Sequence, residues 1–498
     1  MFWAKFRLPI LWAILAFAFL TRIYRVNLPS AYYFDEVYHG ATAKLISRND
    51  PSAYEWTATA IEPDTAIDWL HPPLAKYTQA IFILIFGENS FGWRISSVIF
   101  GVGVIYLTYL LARELFASER LSLLSAFLAS LDGLLLTQSR IAMNDIQVTF
   151  FILLTLLAYL KYLKAKSLKQ KSQRDPFGTK TKNLKLLLLT GLSAGLAIGT
   201  KWSGVFGLLV VWLFEGLGMI TALNEYRIKH SYIHVFMLGL KQLSARVLLL
   251  GMLPLVVYVL SYSQMFLQGK SWSHFIELHQ QIINYQTHLE ATHYYQSRPL
   301  QWFFNLKSVW YYVEFGVGQR ADIYALGNSM LFWFGDLAVI ASLISVILNL
   351  SQRDPLCGFQ DLKNKKILKR VQNDTLLFLL ISYFTVWLPW VFSPRIMFFY
   401  HYTPAVPLLT IILAYWLTKL FGLKPKTKNQ KLKRFGLVTQ SLSYSVTWLS
   451  ENSRQEFFVK LIISLIVLNF VVFYPHWTGI ATPVWLKDNL YFLLPGWK

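Results

Sequence analysis

The 498-residue sequence contains a single cysteine, Cys357, and it is poor in charged residues. One cysteine excludes an intrachain disulfide and every metal or redox site that is built from cysteine pairs. The sequence also lacks a glycine-rich phosphate loop of the Gly-x-x-x-x-Gly-Lys-Ser/Thr type and a His-Glu-x-x-His pair. Nucleotide hydrolysis and zinc-dependent hydrolysis of that type are therefore not supported.

Apolar residues dominate what is present: 55% of the chain is hydrophobic, 16% aromatic and only 15% charged. A bilayer core about 30 Å thick requires about 20 apolar residues of helix. Runs of that length predict an all-α polytopic membrane protein whose first span is a retained signal anchor. A shorter apolar stretch, 74–87, is predicted to be a helix in the membrane interface. The roughly eleven predicted spans are 6–25, 92–115, 121–139, 144–163, 184–200, 202–221, 245–263, 329–349, 374–392, 396–420 and 457–474.

The net charge is +21, and the basic residues are distributed as the predicted topology requires. With the N-terminus in the cytoplasm, the connections richest in Lys and Arg all fall on the cytoplasmic side, as the positive-inside rule requires. The first external segment is instead rich in acids. We therefore attribute the basic excess to orientation and to anionic inner-leaflet lipid, and we predict no nucleic-acid partner. The four basic connections are 161–185, 223–246, 351–373 and 419–455.

Asp132 falls inside the predicted third span. A charged side chain at mid-membrane costs about 2.5–3.5 kcal/mol on insertion scales, so Asp132 is predicted to have a partner or to face a cavity. The other informative polar residues gather at the external face, where they come from four separate parts of the chain.

Two adjacent carboxylates, Asp35 and Glu36, open this external group, with His39 one helical turn after Asp35. Such a pair also fits a solvated face or a charged helix N-terminus. The aromatic residues within 32–38 favour a partly buried site instead. His71 precedes two prolines, a pattern that fits a break before a helix equally well as a functional histidine.

Cations are the second component of this group. Arg94 opens the second span, and Arg140 lies close to Asp145 at an external turn, where the two could form a structural ion pair. Lys201, which precedes Trp202, by itself fits an ordinary interface anchor. Together with the carboxylates, these cations suit a lipid-borne phosphate that leaves while a carboxylate takes a proton from an incoming hydroxyl.

The ordered motifs resemble those of the protein O-mannosyltransferases, and the resemblance extends from about residue 30 to 480. The motifs are Phe34-Asp35-Glu36-Val37-Tyr38-His39, His71-Pro72-Pro73-Leu74-Ala75-Lys76, Gln138-Ser139-Arg140-Ile141-Ala142-Met143-x-Asp145, Gly195-x-Ala197-x-Gly199-x-Lys201-Trp202-Ser203-Gly204, His279 to Pro299, Ala325 to Asn328, Phe399 to Pro404 and Tyr474 to Gly479. The resemblance implies a GT-C fold with a large first external segment. It also implies a polyprenyl- or dolichyl-phosphate mannose donor and inverting transfer to Ser or Thr of a polypeptide.

The resemblance also implies roles for individual residues. Asp35 is expected to be the general base, and Glu36 to support it or to orient the acceptor. The cations Arg94 and Lys201, with Arg140, are expected to contact the donor phosphate. His71, Asp145 and His39 match motif positions whose roles the motifs do not separate. No metal ligands are assigned, although assistance by a divalent metal ion stays open.

The expected organisation has three parts: a catalytic core over 1–263 with its external segment 27–91, an external loop over 264–328 and a four-helix module over 329–498. The external loop is too short for the extra domains of eukaryotic members, so the expected location is a bacterial inner membrane with the site facing outward. Two alternatives stay open. One is a transferase of the same fold that modifies lipid A or a glycan, and the other is a transporter of lipid-linked sugar.

Overall fold

The computed structural model describes residues 2–59, 62–170, 181–227, 244–351, 366–420, 441–486, 489, 491–492 and 494–497. Cys357 and much of the basic connections lie outside these residues. The described helices are α1 (Phe2–Ile23), α2 (Glu36–Ser47), α3 (Leu74–Phe86), α4 (Ser90–Phe116), α5 (Glu119–Ser130), α6 (Gly133–Gln138), α7 (Asp145–Gln170), α8 (Thr181–Thr200), α9 (Val205–Arg227), α10 (Leu253–Leu260), α11 (Ser263–Leu267), α12 (Trp272–His288), α13 (Pro299–Phe303), α14 (Ser329–Ser351), α15 (Lys366–Thr385), α16 (Val406–Leu420), α17 (Ser441–Thr478) and α18 (Val484–Leu486).

Within the described residues, eight helices are long and apolar enough to cross a membrane. They contain Phe6–Ile23, Ser90–Phe116, Asp145–Lys166, Trp202–Ile220, Ser329–Leu348, Thr375–Phe392, Phe399–Leu420 and Ser453–Thr478. Two further predicted spans, 184–200 and 245–263, correspond to the shorter apolar helices Leu184–Thr200 and Ser244–Leu260. The mostly helical membrane fold is therefore confirmed, although three of the predicted spans are shorter or interrupted.

The predicted span 121–139 is not one helix, because the chain breaks between α5 and α6 at Asp132. Its Oδ1 accepts a hydrogen bond from the backbone N–H of Leu135 at 2.8 Å, so it caps the N-terminus of α6. Its Oδ2 accepts from the N–H of Asn328 at 3.1 Å. The Asn328 side-chain amide in turn donates to Leu131 O and Ile466 O. Asp132 thus has the partners that its position demands, and it joins α6 to the C-terminal helices.

The first external segment folds over the outer end of α4, with α2 packed on α3 and α3 on α4. The predicted interface helix is present as α3, and its side chains Ile81, Leu84 and Ile85 are exposed. An apolar face of this kind is what a helix at a membrane interface presents to lipid.

A small antiparallel sheet, which the sequence did not predict, combines two strands of the loop 264–328 with a short strand near the C-terminus. Its strands are β1 (Val309–Phe315), β2 (Gln319–Ala325) and β3 (Thr482–Pro483), in the order β1-β2-β3. A bulge interrupts the β1–β2 register between Trp310 and Tyr312. Because β3 follows α17, the sheet ties the external loop to the last long helix.

Candidate active site

Glu36 and Arg94 form a fully buried ion pair between α2 and α4. Arg94 Nε lies 2.8 Å from Glu36 Oε1, and Nη2 lies 2.7 Å from Oε2. The other three guanidinium N–H groups donate to carbonyl oxygens of the linker 26–31, at 3.0, 2.6 and 2.9 Å. All five donors of Arg94 are therefore occupied, and none is left for a phosphate.

Arg140 is also bound to the protein itself. Its Nη1 donates to the carbonyl oxygens of Arg22 and Tyr24 at 2.6 and 2.7 Å, and its Nη2 donates to Arg25 O at 3.3 Å. These carbonyls lie at and just after the end of α1, where a helix leaves carbonyl groups without intrahelical partners. A guanidinium in this position caps the helix and complements its negative end.

Asp35 differs from its neighbour Glu36, because it is only partly buried and its side chain does not cap α2. Successive residues of a helix point about 100° apart, so two adjacent carboxylates entering a helix face different surroundings. The hydroxyl of Tyr400 lies 3.4 Å from Asp35 Oδ2. Burial raises the pKa of Asp35 to about 6, while His39 and Lys201 oppose the rise. Asp35 is thus a carboxylate poised to accept a proton near neutral pH.

The preceding residue, Phe34, has φ of +50°, in the left-handed region that non-glycine residues rarely adopt. Its ring stacks on Tyr311 of β1 with a centroid distance of 4.2 Å. Strained backbone of this kind persists where packing over-determines it. The external sheet therefore helps to hold the turn that delivers Asp35.

Lys201 also lies close to Tyr400. Its Nζ is 5.5 Å from the centre of the Tyr400 ring and 2.8 Å from Asp145 Oδ1. An ammonium has three donors, and Asp145 takes one of them. The second oxygen of Asp145 is buried and has no hydrogen-bond partner among the described residues. Asp35, Tyr400, Lys201 and Asp145 therefore form one partly satisfied polar group where α7 begins and α8 ends.

These residues come from parts of the chain that are far apart. They include the predicted positions Asp35, Lys201 and Asp145, and they lie beside the buried Glu36–Arg94 pair. The family model described as dolichyl-phosphate-mannose-protein mannosyltransferase matches residues 12–267. The C-terminal four-transmembrane region of protein O-mannosyltransferase matches residues 271–491.

The chain belongs to the protein mannosyltransferase family.

Its relatives include the polyprenol-phosphate-mannose–protein mannosyltransferase of Corynebacterium glutamicum, which is 25% identical over 98% of this chain and 93% of the relative. The Mycolicibacterium smegmatis protein of the same name is 23% identical over 97% of this chain and 92% of its own length. Among solved structures, the yeast Pmt1–Pmt2 complex bound to the sugar donor has a chain that superposes with a TM-score of 0.73 at 15% identity, over 99% of this chain and 92% of that chain. The GT-C fold expected for a membrane glycosyltransferase of this family is confirmed.

A second polar cluster in this mannosyltransferase surrounds Asp68, which the sequence did not single out. His39 Nδ1 lies 2.7 Å from Asp68 Oδ2, and His71 Nδ1 lies 2.8 Å from Oδ1. The ammonium of Lys76 is 2.9 Å from Oδ2. Although burial acts to raise it, Lys76 and the two histidines hold the pKa of Asp68 well below its ordinary value. Burial lowers the pKa of His71 to about 4, so His71 is neutral at neutral pH.

Among the residues that the structure describes, this cluster could hold a metal ion, because the donor atoms of His39, Asp68 and His71 lie within 4.8 Å of one another. A divalent cation there would lie beside the buried ammonium of Lys76, which like-charge repulsion opposes. The 2.8 Å contact of His71 is a hydrogen bond to the carboxylate, whereas His39 Nδ1, 2.7 Å from Asp68 Oδ2, is buried without a hydrogen bond of suitable geometry among the described residues. The buried ammonium of Lys76 therefore weighs against a metal ion in this cluster, and Asp68 holds the imidazole of His71 by a hydrogen bond.

Sequence reasoning missed two aromatic residues of the site. Tyr400 lies in the motif 399–404, which the resemblance included but to which it gave no role. Tyr311, whose hydroxyl accepts a hydrogen bond of 2.6 Å from Gln138 Nε2, lies outside every quoted motif. A single tyrosine in an aromatic-rich chain is no indication of a functional site, so only the tertiary structure identifies Tyr311 as part of it.

Proposed function

We propose that this protein transfers mannose from polyprenyl-phosphate mannose to Ser or Thr hydroxyls of polypeptides, with inversion at the anomeric carbon. The observation that carries the proposal is Asp35. This partly buried carboxylate has a raised pKa and lies in one group with Lys201, whereas the adjacent Glu36 is locked in a buried ion pair. A base without an ion-pair partner, and a cation that keeps hydrogen-bond donors beyond its one bond to Asp145, are what an inverting transfer from a phosphate requires.

In the proposed step, the acceptor hydroxyl oxygen attacks the anomeric carbon from the side opposite the phosphate. The bond from that carbon to the phosphate oxygen breaks, and the hydroxyl proton passes to Asp35. Lys201, which Asp145 orients at 2.8 Å, would use its remaining donors to stabilise the leaving phosphate. Tyr400, which lies close to both Asp35 and Lys201, would contact the sugar.

The expected phosphate contacts by Arg94 and Arg140 are revised in this proposal. Arg94 has no free donor, because Glu36 and the linker 26–31 occupy all five of its N–H groups. Arg140 caps the end of α1. Both are positioning residues here, and so is Glu36. Asp68, with His39 and His71, would support the same side of the site.

The distribution of charge supports an outward-facing site in a bacterial inner membrane. A lipid-linked donor cannot leave the bilayer, so the base has to meet it at headgroup depth. Lys201 follows the C-terminal end of α8, whereas the predicted basic connection 161–185 leads into the N-terminal end of this helix, and the predicted topology places Asp35 on the same outer side as Lys201. Family membership favours an enzyme over the transporter alternative.

The test is transfer of radiolabelled mannose from synthetic polyprenyl-phosphate mannose to a Ser/Thr-rich peptide by the purified protein. Asp35→Asn, which keeps the shape of the side chain, should abolish label on the peptide, while Asp64→Asn in the same external segment serves as the matched control. Label that appears on lipid A or a glycan and on no peptide would favour the related transferase of the same fold. Normal turnover by Asp35→Asn would refute the assignment of the base.

A further inference from the structure

Strand β1 has one paired edge and one open edge. It pairs with β2 on one side, and β2 pairs with β3 on the other, so β1 is the outer strand of the sheet. Within the described part of the chain, no backbone group of β1 makes a hydrogen bond on the side away from β2. An open strand edge presents N–H and C=O groups that can bind another extended chain.

The register shows which groups are open. Gly316 N donates to Gln319 O at 2.9 Å, which makes this the hydrogen-bonded pair that closes the hairpin. Hydrogen-bonded and non-hydrogen-bonded pairs alternate along an antiparallel ladder. Glu314 therefore directs its backbone groups toward β2, whereas Val313 and Phe315 direct theirs away from it.

This edge extends from the exposed hairpin tip to Tyr311, which contacts the residue before Asp35. Phe315, near the hairpin tip, is 73% exposed, and Tyr311, toward the other end of β1, is 5% exposed. The bulge between Trp310 and Tyr312 turns the strand locally, as bulges near active sites commonly do. Tyr311 stacks on Phe34, the residue before Asp35, at 4.2 Å. Val313 follows Tyr311 by two residues of the strand, a distance of about 7 Å, so a peptide paired with Val313 needs only a few more residues to reach the site.

We propose that the acceptor polypeptide binds in an extended conformation along the open edge of β1, hydrogen-bonding to the backbone of Val313 and Phe315, so that its Ser or Thr reaches Asp35. The inference rests on the proposed function and adds the acceptor's conformation and docking strand to it. A polypeptide suits this edge because it carries donors and acceptors at the strand repeat, which a polyprenyl chain lacks. Recognition through backbone groups also tolerates different acceptor sequences around the hydroxyl.

Backbone N-methylation of the acceptor tests the proposal without altering the enzyme. A peptide with a single Thr is methylated at one backbone nitrogen at a time, and KM and kcat are measured with labelled donor. We expect a period of two, in which methylation at alternate residues raises the peptide KM about 3- to 10-fold, the equivalent of one lost hydrogen bond, while the intervening positions change little. An equal effect at every position, or none, would overturn the proposal.

Val313→Pro tests the enzyme side, because it removes one outward N–H and leaves the hydrogen bonds to β2 intact. The matched control is Val313→Ala, which loses the side chain and keeps the N–H. We expect Val313→Pro to raise the peptide KM with an unchanged donor KM, and Val313→Ala to resemble wild type. Equal peptide KM values for the two variants, or cross-linking that finds β1 paired with β1 of a second copy, would overturn the proposal. Failure of the wild-type protein to label any unmethylated peptide would instead overturn the proposed function.

Discussion

Replacement of Arg94 by alanine separates a structural role from a role in binding the donor. The substitution removes five hydrogen bonds and leaves the Glu36 carboxylate buried without its counter-charge. Breaking a buried pair from one side costs about 3–5 kcal/mol, or roughly a 10²- to 10⁴-fold change in the folding equilibrium. We therefore expect Arg94→Ala to be less thermally stable in detergent than the wild type. The measurement is the fraction of protein that stays monodisperse after heating.

A second substitution sharpens this prediction. Glu36→Gln in the Arg94→Ala background removes the uncompensated charge, so the double variant should be more stable than Arg94→Ala alone. The matched control is Arg48→Ala, because Arg48 makes a largely exposed ion pair with Glu88 and exposed pairs contribute about 0–1 kcal/mol. The reasoning would be refuted if Arg94→Ala survived heating as well as wild type while its KM for the donor rose tenfold or more.

Three further predictions concern the site. Because the base must be ionised and its pKa is raised to about 6, kcat/KM should fall about tenfold per pH unit as pH drops below 6, and an acid limb starting near pH 4 in a pH–rate profile would contradict this. Lys201→Ala should lower kcat by about 10²- to 10³-fold and Lys201→Arg should restore part of it, whereas an unchanged kcat for Lys201→Ala would remove Lys201 from the mechanism. Asp68→Ala should lower thermal stability, because it leaves the ammonium of Lys76 buried without its carboxylate. A chelator should leave the thermal stability of the wild-type protein unchanged. Stabilisation of the wild type by added zinc or manganese would instead show that the cluster of His39, Asp68 and His71 binds metal.

The Asp132 region illustrates how far sequence reasoning extends into the fold. Hydropathy places a membrane segment over 121–139, and the cost of a buried charge demands a partner for Asp132. Neither argument predicts that the chain breaks there. The break depends on Asn328, which is almost two hundred residues away and supplies the second hydrogen bond.

The sequence does not separate the roles of the two adjacent carboxylates in the site either. Motif and composition identify Asp35 and Glu36 as candidates together. Their separation into a partly exposed base and a buried ion pair depends on Arg94, on Tyr400 and on the turn at Phe34. The sheet was not predicted either, because two strands of seven residues in an aromatic-rich loop carry little periodic signal.

The sequence by itself determined the membrane class and the family, because these depend on local composition and on ordered motifs, and the placement of charge predicts the orientation. The tertiary structure decided which carboxylate is free, which cations are already engaged and where a strand edge stays open. The physical reason is that burial and hydrogen-bond occupancy are properties of neighbours in space. Most of the neighbours that decide this site are far from it in sequence.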